Sequence, residues 1–195
     1  MKSFAFSVLC LLAFSSQLYS VPATIAEPSP TVVHGESNHG GKIDTKYDGL
    51  SREMVSTLRK MKVTCAGGKA MFKDACVSVS ASLHCPGIQL DYVRYAKLQL
   101  IFETKQWDQR HALEERDLVV VVDTTTLRLG RMRLVSQNID TLMTEILEAT
   151  ISYDVFKKIV SGQVVEMAVG KSRFELRQKN LEALRDLNNR VEISQ

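Results

Sequence analysis

The stretch VSVSASLHC, residues 77–85, alternates without a break, with Val77, Val79, Ala81, Leu83 and Cys85 on one side and Ser78, Ser80, Ser82 and His84 on the other. Two is the side-chain period of a strand, so the segment predicts one face against a core and the other in water. Pro86-Gly87 ends it. On the apolar side Cys85 reads as a small buried hydrophobe, an inert thiol rather than a nucleophile. His84 points the other way and cannot form a Cys-His couple with it.

The same period recurs along the chain. Ala96, Leu98, Leu100 and Phe102 alternate, and Leu118 to Val122 form a short apolar run suited to a strand covered on both faces. Leu127 and Leu129 are followed by Met132 and Leu134, and the change of parity across Gly130 and Arg131 predicts a β-bulge. Met143, Leu147, Ala149 and Ile151 continue the pattern, with Glu145 interrupting on the same face. Ser152 or Asp154 caps a helix through VFKKIVSG, where Phe156, Ile159 and Val160 make an apolar stripe and Gly162 predicts a left-handed stop. A second helix begins near Gln178 or Asn180. It aligns Leu181, Leu184, Leu187 and Val191 on one side and spaces Asp186 and Arg190 for an i, i+4 pair on the other. About eight strands joined by short links predict a mainly β chain, an antiparallel β-sandwich or open barrel with two short helices near the C-terminus. That domain spans residues 45–195.

Ahead of it, MKSFAFSVLCLLAFSSQLYSVPA joins Lys2 to an apolar run too short to cross a bilayer and to small residues at its exit, which predicts a signal peptide over residues 1–23. Residues 24–44 carry Pro28, Pro30 and several glycines with no apolar period, the composition of a disordered linker. His34 and His39 within it make too weak a site, so no metal is assigned. A periplasmic or secreted location follows, with no transmembrane segment after processing. In an oxidising compartment Cys65, Cys76 and Cys85 leave one thiol over. Nine residues along one strand hold Cys76 and Cys85 roughly 30 Å apart, far beyond disulfide reach. Cys65 and Cys76 flank the ten-residue loop AGGKAMFKDA and would face each other at the closed end of an antiparallel pair, which makes them the expected bridge.

The +3 formal charge comes from Lys and Arg interleaved with Asp and Glu, which leaves no basic stripe for nucleic acid. Gly170-Lys171-Ser172 invites comparison with a phosphate-binding loop. Such a loop needs glycine where Val165 stands and must open into a helix, yet both VEMAV before it and SRFEL after it alternate as strands, so the three residues predict a hairpin turn. RDLVVVVD at 116–123 resembles the strand that places a magnesium-binding Asp, but it precedes Gly-Lys-Ser, and Asp123-Thr124-Thr125 reads as a turn. Gly-x-Ser-x-Gly, His-Glu-x-x-His and Cys-x-x-Cys are all missing, and nothing calls for a cofactor. The charge run Glu114-Glu115-Arg116-Asp117 reads as a solvated loop or strand entry. A candidate binding surface lies just before it, in the link of residues 105–116, where Trp107 is accompanied by Asp108, His111 and Glu114. Trp107 is expected to anchor the link to the sheet, or to serve as a stacking residue for a ligand.

The succession WDQRHALEERDLVVVVD, TLRLG and EATISYDVFKKIVSGQVVEMAVGKSRFELRQKNLEALRDL resembles a group of uncharacterised bacterial exported β-rich domains that end in a hairpin and a "LEALRDL" helix. The resemblance covers residues 45–191 and implies a bacterial cell envelope; the group has no established activity, so it implies no functional residue. VDTTTLRLG departs from it by lacking a turn glycine, and the cysteine pair is a second departure. The expected function is an exported, non-enzymatic accessory or binding module of the envelope, its partner an envelope protein or ligand. The alternative is a hydrolase or other enzyme whose site is assembled around residues 105–116.

Overall fold

The computed structural model describes residues 39–65, 76–104, 116–139, 143–170 and 172–192. Its strands are β1 (Ile43–Asp48), β2 (Glu53–Cys65), β3 (Cys76–Pro86), β4 (Tyr95–Thr104), β5 (Asp117–Val122), β6 (Thr125–Arg131), β7 (Arg133–Ile139), β8 (Met143–Ile151), β9 (Val165–Val169) and β10 (Ser172–Leu176). Helix α1 (Tyr153–Ser161) lies between β8 and β9, and α2 (Gln178–Glu192) follows β10. Every strand pairing is antiparallel, in the order β6-β5-β9-β10-β2-β3-β4-β8-β7, with β1 added to β2. The expected class, mainly β with two helices near the C-terminus, is the observed one.

The sheet turns on β2. Its register on β3 slips between Leu58 and Met61, and beyond the slip its end pairs with β10 through Phe174↔Cys65. One leaf contains β1, β2, β3, β4, β8 and β7, and the smaller contains β10, β9, β5 and β6. Among the described residues no strand pairing joins β6 to β7, the two ends of this order, so the sheet is not closed.

The alternation in VSVSASLHC fixes which face of the larger leaf is the core. Register aligns Leu58, Ala81, Leu98 and Ala149 across four strands, and Val79, Leu100 and Leu147 in the next row, all buried. The smaller leaf answers with Leu118, Val120, Met167, Val169, Phe174 and Leu176. Phe102 and Phe174 meet edge to face across the gap, ring centroids 6.4 Å apart, and each such side chain contributes about 1.5–3 kcal/mol by leaving water. Leu181, Leu184, Leu187 and Val191 of α2, with Phe156, Ile159 and Val160 of α1, complete this core. Arg185 of α2 donates to the carbonyls of Val160 and Gly162, at 2.8 and 2.6 Å, satisfying the open end of α1.

Several local expectations are corrected. The parity change near Gly130 does mark a bulge, since Leu118 faces Gly130 while Val119 faces Arg128, but the chain then changes leaf, so one expected strand is two. β5 is buried at Leu118, Val120 and Val122 and only half-buried at Val119 and Val121, so one of its faces is only partly covered. Ser152 caps α1, accepting from the Val155 amide. Gly162 is not left-handed, with φ −65°; it is there for space, because a Cβ would lie 2.5 Å from Val122 Cγ1. Residues 39–44, grouped with the linker by composition, are packed on the domain: His39 is buried, its Nε2 lies 3.3 Å from Asp186 Oδ2, and its Nδ1 accepts from the Gly41 amide. His39 is therefore no free tail ligand, and His34 lies outside the described residues. The Asp186–Arg190 pair forms at 3.5 Å.

Gly170 turns the β9–β10 hairpin at φ +55°, as the short loop requires, so the expected turn between two strands is the observed one. Asp123 adopts φ +52°, a left-handed conformation uncommon for a residue with a side chain. Its carboxylate accepts from the amides of Gln163 and Val164 at 3.0 and 2.9 Å, which offsets the strain and ties the β5–β6 turn to the start of β9.

Candidate functional site

The expected site residues Trp107, Asp108, His111 and Glu114 lie outside the described residues. So do the side chains of Cys65 and Cys76; among the described residues there is no disulfide, and Cys85 is a buried free thiol. Burial, with the charges of Asp91 and Glu53, pushes that thiol up to about 11. Arg116, expected in a solvated run, is instead buried against Glu145, NH2 to Oε1 3.4 Å. Glu145 interrupts its apolar alternation because it meets this guanidinium inside the core.

The outer face of the larger leaf differs most from expectation. Ser78, Ser80 and His84 were expected in water and are buried. Register supplies the reason: Ile101, Gln99, Lys97 and Tyr95 of β4 stand directly across from Ser78, Ser80, Ser82 and His84, and these longer side chains shade the serines between them. Ser80 donates to the Leu58 carbonyl at 2.8 Å. Ser82 remains half-buried.

Along this face a polar stripe crosses five strands. At one end Glu53 of β2, 4% exposed, accepts from His84 Nδ1 at 3.0 Å and from Tyr95 Oη at 2.9 Å, with Arg94 NH1 3.5 Å from its other oxygen. The Tyr95 ring stacks on the His84 imidazole, centroids 4.5 Å apart and planes within 16°. His84 Nε2 lies 3.0 Å from Ser82 Oγ. At the other end Glu148 of β8, 6% exposed, accepts from Gln99 at 2.9 Å and from Arg133 at 2.7 Å, with Lys97 Nζ at 3.9 Å.

The electrostatics assign the protons. Burial alone would raise Glu53, but hydrogen bonds from His84 and Tyr95, with the Arg94 charge, outweigh it and hold the carboxyl below the ordinary range. Glu148 is lowered in the same way, burial being overcome by Arg133, Gln99 and Lys97. For His84 burial dominates and lowers it; the Glu53 hydrogen bond opposes and the Lys97 charge assists. An ion pair would raise the histidine while lowering the carboxylate, yet both are lowered here, so the contact joins a carboxylate to a neutral imidazole. An ionised carboxylate only accepts, so Nδ1 carries the hydrogen and Nε2 is left to accept from the Ser82 hydroxyl. Tyr95 is pushed up to about 12, by burial first and then by its bond to Glu53, and it stays a donor.

Carboxylate, imidazole and serine hydroxyl thus form one directed chain, bounded by the cations of Arg94, Lys97 and Arg133. Sequence reading placed Ser82 and His84 on one face but did not connect them to Glu53, which is 31 residues away and enters only through the β2–β3 register. The available signal was a histidine two residues from a serine on the polar side of an otherwise apolar strand. Among the described residues no cluster of three or more potential metal ligands occurs, and no helix is long and apolar enough to cross a membrane. No family model, no curated protein and no solved structure matches the chain.

Proposed function

We propose that this protein is an accessory or binding module of a bacterial cell envelope, exported by its N-terminal segment, and that its recognition surface is the polar stripe on the larger leaf. Export entails removal of residues 1–23 and exposes Cys65 and Cys76 to the oxidising conditions under which they pair. The observation that carries the reading is the stripe's construction. Two carboxylates, Glu53 and Glu148, are almost wholly buried on this face, where a buried ion pair is no strong source of stability. Each is bound by a cation that remains largely exposed, Arg94 at 58% and Arg133 at 69% of the side chain. Guanidiniums anchored on one edge and open on the other are oriented in advance for a ligand's acidic groups, which lowers the ordering cost of binding.

The ligand class is therefore a polar envelope component bearing carboxylate or phosphate. The test is amide NMR of the folded chain titrated with fractionated envelope extract. Shifts concentrated on β3, β4, β7 and β8 and abolished in Arg94→Ala/Arg133→Ala support the reading. Shifts confined to other surfaces, or unchanged in that variant, overturn it.

A further inference from the structure

We infer that Ser82 is a nucleophile that takes the acyl group of a short carboxylic ester held on the polar stripe, an activity that rests on this face meeting the ligand and goes beyond recognition. Ser82 Oγ and His84 Nε2 are 3.0 Å apart, and His84 Nδ1 and Glu53 Oε2 are also 3.0 Å apart. This is the order of groups that activates a serine hydroxyl, with the imidazole taking the proton and the carboxylate fixing ring orientation and tautomer. The imidazole is held further by its stack on Tyr95, whose hydroxyl binds the same Glu53 oxygen. Chance proximity of a serine and a histidine on a strand supplies neither the buried carboxylate nor the stacked ring. The other two serines that β3 places on this face are closed off, Ser78 fully buried and Ser80 bound to a carbonyl, whereas Ser82 keeps access to solvent.

In the first step Ser82 Oγ bonds to the ester carbonyl carbon while its proton passes to His84 Nε2. The carbonyl–alkoxy bond then breaks, and that proton leaves with the alcohol. Water repeats the sequence on the acyl-serine, giving the carboxylic acid and restoring the hydroxyl, with no oxidant or reductant involved. β3 is hydrogen-bonded on both sides, to β2 and to β4, so its amides are engaged in the ladder. The negative oxygen of the intermediate falls instead to Lys97, which stands opposite Ser82 in the register. Ser82, His84 and Lys97 are the catalytic residues; Glu53 and Tyr95 position the imidazole.

The test uses the whole folded chain, a fluorophosphonate as covalent probe and p-nitrophenyl acetate as substrate. A single adduct mapped by mass spectrometry to Ser82 is expected. Ester hydrolysis should fall at least about a hundredfold in Ser82→Ala and persist in Ser80→Ala, and Glu53→Gln should lower kcat more than it changes KM. Adduct mapping needs only the wild-type chain, so a variant that misfolds does not remove the test. No adduct after prolonged exposure, an adduct elsewhere, or wild-type hydrolysis by Ser82→Ala overturns the inference. Loss of the adduct result with envelope binding intact refutes the nucleophile alone; an adduct on Ser82 without any envelope binding refutes the recognition reading alone.

Discussion

Replacing Glu145 by Ala removes the carboxylate from a buried ion pair. The Glu145 side chain is 3% exposed and that of Arg116 10%, and one contact of 3.4 Å joins them. The Arg116 Nε already lacks a partner among the described residues. An exposed pair of this geometry would be worth at most about 1 kcal/mol. Here the substitution strands a guanidinium in the core, so the loss should be about 3–5 kcal/mol. For a domain of this size that lowers Tm by roughly 6–20 °C. Urea unfolding followed by far-UV circular dichroism measures it, and an unchanged m-value certifies that the native and unfolded states keep their exposed areas. The paired replacement Arg116→Met/Glu145→Leu should recover most of the loss, because two apolar side chains avoid both desolvation costs. A single-variant loss below about 1 kcal/mol, or a double variant no better than the single, would contradict the reasoning.

Gly162→Ala should cost about 1–2 kcal/mol net, overpacking against Val122 exceeding the backbone-entropy gain, and Val122→Ala in the same chain should relieve it; a stabilised Gly162→Ala would show that the 2.5 Å approach is not there. Cys85 should resist thiol reagents at pH 8 until the chain unfolds, since it is fully buried and its thiol lies near 11; alkylation of its tryptic peptide within minutes in native buffer refutes that. Stability should fall in acid as Glu53 and Glu148, held below 4.5, are protonated, and the decline should begin below 6.5, where His84 protonates more readily in the unfolded chain. It should also fall in alkali, because Cys85 and Tyr95 ionise near 9 and 10 when unfolded but near 11 and 12 when folded. A melting temperature that rises between pH 9 and 11 would show the wrong sign.

Strands that bury a full apolar row were legible because period two is written directly into residues 77–85 and 96–102. β1 was not, because only Ile43 and Thr45 of IDTKYD are buried and its pairing with β2 supplies the rest. The division of β6 from β7 left a parity change in the sequence, but a bulge and a crossing between leaves leave the same mark. The stripe was half legible. Alternation put Ser82 and His84 on a common face, and the Lys97 and Gln99 positions follow from the next strand's parity. What joins them to Glu53, Glu148 and Arg133 is inter-strand register, a property of pairs of segments far apart in sequence. Burial of that face was misread for a related reason: alternation gives the direction of a side chain, whereas its exposure depends on the length of its cross-strand neighbours.

The nucleophile inference rests on a neutral His84 that donates from Nδ1 to Glu53 and accepts at Nε2 from Ser82. Long-range 1H–15N correlation of the folded chain carrying 15N-histidine, at pH 7, reads the two ring nitrogens separately. The account predicts a protonated Nδ1 and an unprotonated Nε2 for His84, the pattern changing in Glu53→Gln. An imidazolium at that pH, or a hydrogen on Nε2 with Nδ1 bare, would contradict it.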